Sequence, residues 1–197
     1  MITLDPTLQS AQDALIRAPI CRINSSSFVE AIPFDGNYFN TSPIEEQHPY
    51  LIETSSGRLA MVLSSAGNLI YRVSDAAKIQ FTDTTIVTGA SYNPIYEAAL
   101  VEISPAVIGI IYSCLYSASV LLRRITITET GSIISAPESI AAYANTFNIR
   151  EVCVIEKQTG GFLAVYRKTD LQTTDQYLMR RTSTDFLSWS SEANTGI

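Results

Sequence analysis

The chain is 197 residues long, with 46% hydrophobic side chains, only 16% charged ones and a formal net charge of −6. An average soluble domain has about a quarter of its residues charged, so Ser and Thr must supply much of this surface. A chain this apolar buries a core, which excludes a disordered tail, and an acidic chain without a basic run offers nucleic-acid phosphates little to bind.

The predicted elements begin with a short helix. Asp5 is a good N-cap, Pro6 suits the first turn, and Leu8, Ala11 and Leu15 recur at helical spacing before Pro19 ends the element. A helix of about eleven residues is unstable alone, so this apolar stripe rests either on its own domain or on another chain. Strand-like Ile20–Ile23 and Phe28–Ile32 follow, then a turn at Asp35-Gly36-Asn37. Residues 1–45 form a docking unit on this reading. The N-terminus carries neither a basic nor an apolar signal region, which implies synthesis in a reducing cytosol without a signal peptide. Cys21, Cys114 and Cys153 are odd in number, lack metal-type spacing and read as small buried hydrophobes.

From residue 46 to 197 the chain repeats. Strand-like Pro49–Glu53, Leu59–Leu63 and Leu69–Asp75 make the first unit; Ala99–Glu102, Val107–Tyr112 and Val120–Ile127 the second; Val152–Glu156, Phe162–Tyr166 and Tyr177–Ser183 the third. Glu53, Glu102 and Glu156 close the first strands, 49 and 54 residues apart, and Arg72, Arg124 and Arg181 sit in the third strands, 52 and 57 apart. A period near fifty with three or four strands predicts an all-β, propeller-like body of about three blades, near 49–90, 96–140 and 150–197. Three stacked sheets in a simple sandwich compete with it. Apolar runs such as Leu59–Leu63 and Phe162–Tyr166 predict strands covered on both faces, whereas alternating Arg124–Thr128 predicts one face toward water. Ile103–Leu122 is uncharged over twenty residues, but Pro105 and its Val, Ile and Tyr content predict a buried hairpin rather than a membrane helix. No fourth strand is evident after Ser183, so the blade set reads as incomplete.

The third unit ends Ser183-Thr184-Asp185-Phe186-Leu187-Ser188-Trp189. The pattern Ser-x-Asp-x-x-x-Trp after a strand resembles the blade-end turn of sialidase-like propellers and of the five-bladed propeller glycosidases, with Leu187 where the sialidase turn carries Gly. The resemblance implies structural roles for Ser183, Asp185 and Trp189: the Asp accepts backbone N–H groups and the Trp packs between blades. Sialidase catalysis does not carry over, because no Tyr–Glu pair can be singled out and the repeated arginines read as architecture. Glu53, Glu102 and Glu156 would suit sugar hydrolysis if they converged, and read otherwise as solvated strand ends or arginine partners. His48, the only histidine, reads as a surface loop residue.

The stretch Leu8–Pro19 resembles the opening of phage tail and host-specificity proteins. With it, the main expectation is a structural protein of a phage-like tail, baseplate or fibre: no enzyme, no catalytic residue, cofactor or metal, residing in a virion assembled in the host cytosol. Its expected partners are other tail proteins, further copies of itself and a host-surface glycan, with no nucleic acid and no membrane span. The alternative is a glycan-binding or glycosidase-type propeller module.

Overall fold

The computed structural model describes residues 50–65, 67–89 and 95–195. Among these residues the protein is all-β, without a helix, in three four-stranded antiparallel sheets. Strands β1 (Tyr50–Glu53), β2 (Leu59–Ser65), β3 (Asn68–Ser74) and β4 (Phe81–Val87) form the first. The second contains β5 (Ile95–Ser104), β6 (Val107–Tyr116), β7 (Ser119–Thr128) and β8 (Ile133–Ala144). The third contains β9 (Phe147–Glu156), β10 (Phe162–Asp170), β11 (Gln176–Ser183) and β12 (Ala193–Asn194). Each sheet is a meander in chain order, the arrangement of a propeller blade.

The uncharged stretch is the hairpin β6–β7, paired in continuous register from Val107↔Thr128 to Tyr116↔Ser119. It serves both cores, because alternate side chains leave opposite faces of the same strand. Ile108, Ile110, Tyr112 and Cys114 join Ala60, Val62, Leu69 and Tyr71 between the first and second sheets. Ile111, Val120 and Leu122 join Val152, Ala164, Tyr166 and Phe186 between the second and third. Gly109 marks the closest approach at that second seam: a Cβ there would lie 2.5 Å from Phe186 Cζ.

Several expectations need correction. The predicted N-terminal helix, with Leu8, Ala11 and Leu15, and the strands after it lie outside the described residues. Arg124 and Thr126 are buried, so β7 has no watery face; Arg124 Nε reaches across the seam to the Leu187 carbonyl at 2.9 Å. Conversely, β10 alternates buried and half-buried side chains instead of being covered on both faces. The third sheet does have a fourth strand, the two-residue β12, paired to β11 through Met179↔Asn194 and Arg180↔Ala193. Its brevity hid it, since two residues carry no periodicity.

Candidate functional site

Beyond Tyr166, where the sequence-predicted strand stops, β10 continues through Lys168 to Asp170. Pleating puts Tyr166, Lys168 and Asp170 on one face with Met179 and Tyr177 of β11, which pair opposite Tyr166 and Lys168. Phe147, at the start of β9, and Asn194 of β12 close the surround of a cavity of about 350 Å3, lined by Phe147, Lys168, Asp170, Tyr177, Met179 and Asn194. Lys168 Nζ lies 4.9, 5.3 and 6.0 Å from the ring centres of Tyr143, Phe147 and Tyr177.

Behind the cavity is a connected polar group. Lys168 Nζ donates to Glu192 Oε1 at 2.6 Å, and the Tyr166 hydroxyl donates to Glu192 Oε2 at 2.9 Å. That hydroxyl is also 2.9 Å from the Tyr143 hydroxyl and accepts from Arg181 Nε at 3.2 Å. Burial raises the Glu192 carboxyl above its usual range. Burial, with the nearby Arg181 charge second, lowers the Lys168 amine. Both shifts move the pair toward its neutral form, because low polarity disfavours separated charge. Burial likewise raises the Tyr166 phenol. None of these residues was singled out in the sequence except Arg181. The alternation Tyr166-x-Lys168-x-Asp170 beside Tyr177-x-Met179 carries the signal in retrospect, but only the register of β10 on β11 reveals it.

Glu53, Glu102 and Glu156 have separate surroundings. Glu53 pairs with Lys78 at 2.7 Å. Glu102 accepts from the Ser55 amide and hydroxyl, both at 2.7 Å, and from the Ala106 amide at 3.3 Å. Glu156 is exposed at the end of β9. The carboxylate that the second sheet buries is instead Glu129, in the turn after β7. It accepts 2.5 Å hydrogen bonds from Thr54 and Ser56 of the first sheet and faces Arg58 Nε at 3.6 Å. Burial would raise its carboxyl, but the two hydroxyls and the Arg58 charge outweigh that and hold it below the ordinary value.

The repeated arginines share one role. Arg72 binds Asp83, Arg124 binds Glu138 and Arg181 approaches Glu192, in each case joining a third strand to an acid on or beside the fourth. In the blade-end turn, Asp185 accepts the Leu187 and Ser188 amides at 2.8 Å and the Ser183 hydroxyl at 3.1 Å. These bonds, the backbone pair foremost, hold its carboxyl below the usual range. Trp189 is half-buried and donates to the Phe186 carbonyl at 3.1 Å. The residue wedged into the seam is Phe186: wholly buried, with a φ of 65°, and edge-on to both Phe162 and Trp189. Trp189, which the motif reading placed between blades, packs against the same core beside Phe186; the spacing identifies that aromatic but not the neighbour that is wholly buried.

No protein-family model matches the chain, and no curated protein matches it in sequence. Solved structures do resemble it. An α-L-arabinanase of Penicillium chrysogenum complexed with arabinobiose has a TM-score of 0.59 at 13% identity, over 76% of this chain and 49% of that one. The sucrose-6-phosphate hydrolase of Lactobacillus gasseri gives 0.56 at 12%, over 77% and 34%. The endo-arabinase of Bacteroides thetaiotaomicron gives 0.54 at 11%, over 76% and 62%. The chain thus spans between a third and five-eighths of the length of these relatives. The expectation of a protein that is no enzyme is corrected by these neighbours, which are glycoside hydrolases. At such identities the likeness carries the fold, and the fold is that of glycosidase-type propellers.

Proposed function

We propose that this chain is a carbohydrate-directed propeller module and that the cavity on the third sheet holds a sugar ring. The observation that carries the reading is the composition of that cavity. Phe147 and Tyr177 offer ring faces to the C–H surface of a sugar, while Lys168, Asp170 and Asn194 offer donors and acceptors for its hydroxyls. A concave site with apolar walls and a few convergent polar groups is the usual form of a small-ligand site. The glycoside-cleaving structures that share the fold support the same direction. The tail-protein reading rests on residues outside the described ones, and nothing in the sheets favours it.

The test is calorimetric titration with arabino-, xylo- and gluco-oligosaccharides, with chromatography of the same incubations to read bond cleavage. Binding by at least one series is expected, weakened roughly tenfold by Tyr177→Ala through loss of one stacking face. A protein that binds none of the three series, or whose binding ignores Tyr177→Ala, would overturn the assignment.

A further inference from the structure

We propose that Lys168 is a carbonyl-capturing amine, condensing with a small aldehyde that enters the third-sheet cavity to form an imine, with Glu192 relaying the protons. The inference stands apart from the carbohydrate reading, since it needs only an accessible aldehyde and no glycan.

Such a reaction needs a free amine, a proton carrier beside it, room for the carbonyl compound and walls that keep water from the product. Lys168 lines the cavity, and its side chain is only 15% exposed beneath the rings of Tyr143, Phe147 and Tyr177. Glu192 Oε1 lies 2.6 Å from the amine, so the ammonium proton has one short path to a carboxylate. The opposite oxygen of that carboxylate receives the Tyr166 hydroxyl, which fixes its orientation. Burial and the Arg181 charge favour the neutral amine, and burial favours the neutral acid. A desolvated lysine of this kind is the usual source of a Schiff base.

The steps balance without an outside reagent. The ammonium gives a proton to Glu192. The nitrogen lone pair attacks the carbonyl carbon, and the displaced C=O electron pair takes the proton back from Glu192, giving a carbinolamine protonated on nitrogen. That nitrogen gives a second proton to Glu192, the hydroxyl takes it and leaves as water, and the nitrogen lone pair forms the C=N bond. One ammonium and one aldehyde thus become one protonated imine, paired with the Glu192 carboxylate, and one water. Phe147 and Tyr177 line the space in which the C=N bond would form, and the Tyr143 ring lies 4.9 Å from the nitrogen.

The chain has only three lysines, Lys78, Lys157 and Lys168, so each can be followed separately and apart from the α-amino group. The native protein is incubated at neutral pH with glycolaldehyde and cyanoborohydride, which traps imines as stable amines, and the label is located by peptide mass spectrometry. Lys168 is expected to be labelled about tenfold faster than Lys78 or Lys157, as a desolvated amine beside a proton carrier should be. The preference should vanish in urea, where the cavity is gone. Labelling that is equal, absent or greater at Lys78, whose side chain is 30% exposed, would overturn the proposal. Glu192→Gln separates relay from mere charge. Removing the carboxylate frees the amine, so a purely electrostatic partner predicts faster labelling, whereas loss of the relay predicts slower labelling at Lys168 with Lys78 unchanged. An oligosaccharide titration that fails leaves this result standing, and the reverse holds too.

Discussion

At the scale of single residues, two side chains bear unequal shares of the seams. Glu129 has a side-chain exposure of 10% and holds Thr54, Ser56 and Arg58 of another sheet. Glu129→Ala leaves three polar partners behind without their acceptor, and chemical denaturation should register a loss of roughly 3 kcal/mol. The pH dependence has a definite sign. Because the folded carboxyl titrates below the unfolded value of about 4.3, its contribution is fully present above that pH and disappears as pH falls through the folded value. Melting temperatures measured from pH 7 to pH 2 should therefore fall less steeply in Glu129→Gln than in the wild type. Gly109 works by what it lacks. Gly109→Ala meets Phe186 Cζ and Cε1 at 2.5 and 2.6 Å, an overpacking that should cost about 1–3 kcal/mol. Adding Phe186→Leu to Gly109→Ala should return part of that loss, since the two substitutions share one space.

At the scale of elements, the meander of each sheet is closed by an arginine on its third strand. The partners of Arg72, Arg124 and Arg181 are Asp83, Glu138 and Glu192. Side-chain exposure ranks them: Asp83 at 45% and Glu138 at 65% lie in water, while Glu192 at 17% does not. Asp83→Ala, whose partner Arg72 is itself 21% exposed, is accordingly expected to change stability by less than about 1 kcal/mol. Glu192→Ala should be felt more, and hydrogen exchange should show it first at β12, which has only two residues of pairing of its own. Much of this was legible in the sequence. The fifty-residue period, the spacing of the arginines and the β-rich content of Ile103–Leu122 identified three sheets and the central hairpin. What escaped had physical causes. The burial of Arg124 depends on a carbonyl 63 residues away, and no local alternation reports a distant acceptor. Glu129 sits in a short polar segment whose role exists only once two sheets meet, and Glu192 in one whose partners, Tyr166 and Lys168, lie on β10 of its own sheet, where no local pattern links them.

At the scale of the whole molecule, the second sheet is the only one covered on both faces by sheets of described residues. The third sheet turns Phe162, Ala164, Tyr166 and Met179 inward, leaving Leu163, Val165 and Leu178 on the opposite face, half-buried and outside both cores. Arg167 and Arg180 share that face by alternation. Apolar area of this kind promotes association. Light scattering on a sizing column should show mass rising with protein concentration, and Val165→Lys should lower it without moving the melting temperature by more than a few degrees. A mass that stays constant in the wild type would mean that this face is not sticky.

The seam built around Glu129 also fixes an order of events at the ribosome. Every strand pairs with its chain neighbour, so each sheet can assemble from what has just emerged, a local route that favours rapid folding. Thr54 and Ser56, however, wait for a carboxylate 75 and 73 residues downstream. At typical synthesis rates that delay is roughly 4–15 s, during which Tyr71 also lacks the Glu129 carbonyl it will later bind. The nascent first sheet thus emerges with one face still unmatched, and translation speed across the β5–β7 stretch sets how long it stays so.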